Sequence, residues 1–318
     1  MPRIRFGISL LAFALLVSRV AVAENTLAEA YFDAGAAALE GNDAAKAAGL
    51  FTLSLEESAE CESGEIFAKA LLGAGEATYK LGQLDTAAKM FRMCIHFQDT
   101  VDDSESPVIR VAAMTGLSLV KAQQGEQIAA EAVGAKAVAV LEKADMDDSE
   151  QMAFALNNLA MVKSSVKDHA EAEQLALRSL AILDRLAQDS SHPQHFQVIA
   201  SLAQIYHSAG HHDKAEEHAM KAIKLARQHH GDDTPQAAAA MTTLSKVKHA
   251  QGKHVESDEM IRMALGIFSK TTHPDHPDHQ TALDHLHNSA QKKGAAVTSS
   301  DPAPSDFDDA SRTSAAPQ

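Results

Sequence analysis

Leu159, Leu202, Leu244 and Leu286 follow one another at intervals of 43, 42 and 42 residues, and the same order of large, small and polar positions returns around them. The run Ala155-Leu156-Asn157-Asn158-Leu159-Ala160 is echoed by Ile199-Ala200-Ser201-Leu202-Ala203 and by Met241-Thr242-Thr243-Leu244-Ser245. Eight residues past three of these leucines stands a glycine, Gly210, Gly252 or Gly294, where a helix must stop and turn; Lys167 takes that place after Leu159. Five residues further on, Ala172, Ala215 and Ser257 open a second amphipathic run, such as Ala172-Glu173-Gln174-Leu175-Ala176-Leu177-Arg178-Ser179-Leu180. The pattern predicts a repeated unit of helix, tight turn and helix.

The first half carries the same unit in weaker form, with its first turn displaced by one residue. Gly35, Gly75 and Ser118 hold the small position of the first helix, Gly41, Gly82 and Gly125 the turn, and Ala47, Ala87 and Ala130 the small position of the second helix. Six pairs result, predicted over residues 28–60, 63–100, 107–145, 150–188, 193–230 and 235–270. A polar helix over 278–293, with Asp284, His285, His287 and Asn288, would cap the last pair. From Ala295 to Gln318 the chain is Ala, Ser, Pro and Asp with one Phe, too poor in apolar residues to offset its ordering entropy, and reads as a disordered tail.

These residues resemble the tetratricopeptide repeat family, whose signature sets large residues and a small pair in the first helix, and Ala, an aromatic and Ala in the second. Tyr31, Phe51, Tyr79, Phe91 and Tyr206 occupy or neighbour its large positions. The period of about 42, the run Asn157-Asn158-Leu159-Ala160 and the connectors His192-Pro193 and His273-Pro274-Asp275 are most similar to the kinesin light chain subtype. The resemblance covers roughly Ala28 to Gly294 and implies an all-α, right-handed α-solenoid of about six helix pairs plus a C-terminal capping helix. A HEAT-type array has a similar period. The turn glycine and the paired small positions, recurring in phase, favour the tetratricopeptide reading, since only Gly, Ala or Ser lets the crossing backbones close in.

Composition agrees with a thin, repeated packing. The chain is 45% hydrophobic but only 4% aromatic, with no Trp, so its apolar surface comes from Ala, Leu, Val, Ile and Met. The formal charge of −15 argues against nucleic acid or anionic lipid as the main partner. Residues 1–23 read as a secretory leader: Arg3 and Arg5 precede a short apolar run, Phe6 to Val17, and Ala21-Val22-Ala23 fits a cleavage site before Glu24. The expectation is an exported, periplasmic or secreted protein with no membrane span once the leader is removed.

No phosphate-binding Gly-Lys-Ser/Thr element and no His-Glu-x-x-His helix occurs, and Gly73-Ala74-Gly75 lacks the spacing of a dinucleotide fingerprint. No catalytic activity and no cofactor are expected. Cys61 and Cys94 fall at neighbouring ends of the second pair, which predicts a disulfide in an oxidising compartment; two separate buried thiols are the alternative. Of 17 histidines, 16 lie beyond residue 168. His273, His276 and His279, or His207, His211 and His212, have the chemistry of zinc ligands. Solvated linker histidines are the plainer reading, and no metal site is assigned.

The resemblance places a ligand, often an extended peptide, on the concave wall formed by the first helices. In this sequence that wall would show Asn157, Asn158, Ser201, Gln204, His207, Thr242, Lys246 and His249. A two-lysine carboxylate clamp is not evident, since only Lys246 is well placed and Glu76 faces the same wall. The N-terminal wall is more apolar, with Phe32, Leu72, Thr115 and Leu119, suited to a hydrophobic partner helix or to self-association. The expected function is a non-catalytic scaffold of the bacterial envelope that binds a protein or peptide; the alternative is a homo-oligomerising spacer subunit.

Overall fold

A computed structural model of the chain describes residues 27–60, 64–100, 107–187 and 194–298. The predicted leader, Cys61, the His192-Pro193 connector and residues 299–318 lie outside them. The described residues form thirteen helices and no strand. Helix α1 covers 27–40 and pairs with α2 (Ala44–Glu60). Four pairs follow: α3 (Gly64–Lys80) with α4 (Leu84–Thr100), α5 (Val108–Gln123) with α6 (Gln127–Lys143), α7 (Glu150–Ser165) with α8 (His169–Leu186), and α9 (His195–Ser208) with α10 (His212–His230). The sixth is α11 (Pro235–Ala250) with α12 (His254–Thr271), and α13 (Pro277–Thr298) closes the series.

Local chemistry sets these boundaries. Ser149, Asp168 and Thr234 cap α7, α8 and α11 by accepting from the backbone N–H three residues on, and Pro235 supplies a preset φ at the first position of α11. The turns inside the pairs need one left-handed residue. Gly82, Gly125, Gly210 and Gly252 provide it, with φ between 72° and 81°. In the first pair the residue is Asn42 (φ 60°), not the predicted Gly41, because Gly41 still makes the last helical bond to the Ala37 carbonyl. Lys167 adopts φ 68° in the fourth pair, and the pair turns there without a glycine. Gly294 is no turn: α13 runs through it to Thr298.

Successive odd helices pack on one another, α3 on α5, α5 on α7 and so on to α13, while even helices pack chiefly on their two chain neighbours. The row whose members are closer together lies inside the curve, so the odd helices form the inner wall. Phe51 of α2 sits in a slot between Gly35 and Gly73, and Phe91 of α4 in a slot between Gly75 and Gly116; a Cβ on any of the four would stand 2.5–2.9 Å from a ring carbon. Buried polar positions also repeat. The Ser54 and Ser179 hydroxyls donate to the carbonyls of Ala28 and Ala153, and Cys94, fully buried, directs its thiol to the Ala68 carbonyl at 3.5 Å; each spans 26 residues.

Polar groups link consecutive pairs. Lys163 of α7 reaches Glu131 of α6 at 2.7 Å and Glu171 of α8 at 2.8 Å. Lys248 of α11 repeats this with Glu216 of α10 and Glu256 of α12 at 2.6 and 2.7 Å. Tyr206, at the equivalent place in α9, donates to Glu173 of α8 at 2.7 Å.

Candidate functional site

The inner wall changes character along the array. At its N-terminal end α1, α2 and α3 enclose a groove of about 340 Å³ with a floor of Phe32, Ala36, Leu39, Phe51 and Leu72. Glu76 and Lys80, one turn apart on α3, stand at its rim. Desolvation pushes the Glu76 carboxyl above its usual range and the Lys80 ammonium below its own, each partly offset by the other. The Lys80 ammonium also lies 3.4 Å from the Leu39 carbonyl. Thr115, predicted as a wall residue, is buried and bonded to the Val111 carbonyl at 2.8 Å; Leu119 is half-buried.

From α7 onward the wall is polar. Gln204 and His207 on α9 and Lys246 and His249 on α11 are half-buried on these inner helices. Asn157, Asn158, Ser201 and Thr242 are more enclosed, at 2, 9, 6 and 5% exposure, because the neighbouring inner helix covers them. Thr242 spends its hydroxyl on the Ala238 carbonyl at 3.0 Å, a helix-internal bond. Gln204 donates to Thr243 of the next inner helix at 3.3 Å. Three wall atoms, Asn157 Oδ1, Asn158 Nδ2 and His207 Nδ1, are buried with no hydrogen-bond partner among the described residues.

The tetratricopeptide repeat family model matches residues 109–185 and 194–270, the third to sixth pairs. The chain is a tetratricopeptide repeat protein. Solved structures share its fold at low identity. BtubC (BKLC) from P. vanneervenii is 16% identical, with 87% of this chain covering 95% of that one at a TM-score of 0.52. A Rap protein complexed with competence and sporulation factor is 16% identical over 83% of this chain and 75% of its own, at 0.56. The APC/C hetero-tetramer Cut9–Hcn1 contributes a chain 16% identical over 85% of this one and 45% of its own, also at 0.56. A comparison with curated proteins gives no match.

Histidines gather where the tetratricopeptide array ends. His249 Nδ1 lies 3.4 Å from His254 Nδ1, and the His249 and His285 rings meet edge-on with centroids 5.7 Å apart. His207 faces His212 at 5.4 Å. His285 Nε2 lies 3.0 Å from Ser245 Oγ. Desolvation, then Lys246, His249 and His207, hold His285 down to about 4, and His207 is lowered by desolvation and by His212 and Lys246. Among the described residues no group of three or more His, Cys, Asp or Glu is arranged to hold a metal ion, and no helix is long and apolar enough to cross a membrane. His273, His276 and His279 are not brought to one point: His279 stacks on Phe268, while His273 and His276 each accept a backbone N–H.

Residue spacing within one pair does not reveal Tyr79, Lys80 and Gly82 as neighbours of the His273–Asp278 connector, yet the structure places them together. Some 190 residues separate the two segments, and only the accumulated curvature of the array unites them. His285 was readable in principle, since it stands one residue before Leu286 as Asn158 does before Leu159.

Proposed function

We propose that this chain is a non-catalytic interaction scaffold of the bacterial envelope that binds an extended peptide or protein segment along its inner wall. The observation that carries the reading is the set of buried polar atoms on that wall, Asn157 Oδ1, Asn158 Nδ2 and His207 Nδ1, with no partner among the described residues. Buried polar groups are nearly always hydrogen-bonded, and side-chain amides can both donate to and accept from an extended backbone. Tetratricopeptide arrays are protein-interaction scaffolds, and the Rap structure is itself a complex with competence and sporulation factor. The apolar floor at the other end of the wall would seat one large side chain of the same segment. The envelope location rests on the leader pattern over residues 1–23.

Photo-crosslinkers at Gln204 and His207, with one on the exposed Glu259 of outer helix α12 as control, test the reading in the native cell. The expected result is one adduct of defined mass from the two wall positions and none from Glu259. Equal labelling from all three, or none from the wall in folded protein, would overturn it. Intact mass of the exported protein should begin at Glu24.

A further inference from the structure

The connector between the sixth pair and the last helix is built from two copies of His-Pro-Asp, and both fold alike. The Asp275 N–H donates to His273 Nδ1, and the Asp278 N–H to His276 Nδ1, each at 3.2 Å. Gln280 donates to the Pro274 carbonyl at 2.8 Å, and His276 N–H to the His273 carbonyl at 2.9 Å. Pro277 opens α13, so His276 acts as its side-chain cap, much as Thr234 caps α11 ahead of Pro235. The connector is therefore a preorganised strap.

This strap rests on the turn of the second pair. A Cβ on Gly82 would run into the Asp275 carbonyl oxygen and lie 3.0 Å from the Asp275 Cβ, whereas Gly125, Gly210 and Gly252, at the same turn position in other pairs, have nothing within 4 Å. Three further side chains mark the contact. The Asp278 carboxylate is close enough to act on both Tyr79 of α3 and Lys246 of α11, and Lys80 of α3 acts on His276. Gln123 of α5 donates to the Tyr79 hydroxyl at 3.1 Å, which leaves its hydrogen for an acceptor such as a carboxylate. Asp284 adds a second acid beside Lys246.

We propose that residues 273–278 occupy the inner wall as a built-in competitor, and that the partner is a proline-containing acidic segment that displaces them. This rests on the groove reading above and adds its regulation and the chemistry of its partner. The wall at this point offers a glycine turn that admits only bare backbone, a tyrosine hydroxyl, and the cations Lys80 and Lys246. The strap answers with a backbone carbonyl in the turn at Pro274–Asp275 and a carboxylate in the first turn of α13, which Pro277 opens. A segment in trans must present the same groups, and the strap lowers its apparent affinity by the fraction of molecules that are open.

The test uses the full chain and a fluorescent peptide with the sequence of residues 271–280, followed by anisotropy and small-angle scattering. Asp278→Lys sets a like charge beside Lys246 and leaves the Gly82 turn intact. It should expand the molecule and bind the peptide about tenfold more tightly than the wild type, if closed molecules outnumber open ones by about that factor. Gly82→Ala should expand the molecule and abolish peptide binding. Gly125→Ala carries a similar positive φ (80° against 72°) in open space, so it imposes comparable turn strain and should leave both readings at wild-type values. Equal radii for Gly82→Ala and Gly125→Ala, or equal peptide affinity for the wild type and Asp278→Lys, would overturn the strap. Crosslinking from Gln204 and His207 that persists in either case would leave the groove reading standing.

Discussion

The two halves of the array fill the gap between crossing helices in opposite ways. In the first two pairs the bulk is on the outer helix: Phe51 and Phe91 enter slots lined by Gly35 and Gly73, and by Gly75 and Gly116, of the inner row. In the third to fifth pairs it moves to the inner helix, and the sixth pair returns a large residue, Ile261, to the outer position. Gly134 of α6 now supplies the clearance, with Leu159 of α7 and Ser118 of α5 at 3.3 and 3.0 Å from where its Cβ would be, and Ala176 and Ala219 follow at the same outer position. Volume is conserved while its source changes sides, and this is how a repeat drifts without losing its spacing. The inner surface changes with it: an apolar groove with a Glu76–Lys80 rim at one end, amides and histidines around Lys246 at the other.

The largest effects should come from the aromatic slots. Phe91→Ala should cost about 3–5 kcal/mol by leaving a cavity between three helices, measured by denaturant unfolding. Gly116→Ala should cost about 1–3 kcal/mol, because its Cβ meets the Phe91 ring at 2.6 Å. Gly266→Ala, on an open helix surface of α12, should instead add about 0.5–1 kcal/mol. If Gly116→Ala and Gly266→Ala shift stability in the same direction, the contrast between the halves is wrong.

Acid should separate the halves next. His285 is held near 4, and His207 and His276 are lowered too. These groups face Lys246, His249 and His207; His212 and Lys246; and Asp278, Lys80, His279 and His273 respectively. The unfolded chain, with histidines near 6.5, takes up protons first, so this part of the stability is complete above about pH 6.5 and is lost as pH falls towards 4. Glu76 has the opposite sign: its raised value makes the fold bind the proton earlier, and the N-terminal groove gains as pH falls. Hydrogen exchange at pH 7.5 and 5.5 should show α9–α13 losing protection before α1–α4, and His285→Gln should flatten that difference. Loss in the N-terminal half first would contradict it.

The smallest effects belong to polar links. Lys248→Met breaks two ion pairs but retains the stem, and should cost no more than about 1 kcal/mol, less in high salt. Cys94→Ser should be similarly mild in the reduced protein, since serine already makes the same 26-residue bond in the first and fourth pairs, at Ser54 and Ser179.

Much of this was legible because it depends on one pair at a time. The turn at Gly210 or Gly252 needs a left-handed residue, and the small positions Gly75, Ser118 and Ser245 need close backbones; both demands act over a dozen residues and leave periodic marks. The predicted Gly41 turn fell one residue short because Asn is one of the few residues besides Gly that enter the left-handed region. Gly294 looked like a turn because its spacing is right, but no second helix follows to require one. Of the wall positions that spacing names, Gln204, His207, Lys246 and His249 are half-buried, while Ser201 and Thr242 are buried. Whether such a position meets solvent or the next inner helix depends on crossing angles, which no single repeat records.

The sequence by itself determined a helical repeat of about 42 residues, its tetratricopeptide character and the change from an apolar to a polar wall, because each follows from residue types at fixed spacing within a pair. The tertiary structure decided which wall atoms lack partners among the described residues, how His207 and His285 gather beside Lys246, and that the His273–Asp278 strap meets Gly82. Those outcomes depend on a small rotation repeated from pair to pair, and its sum brings the second pair and the last connector together.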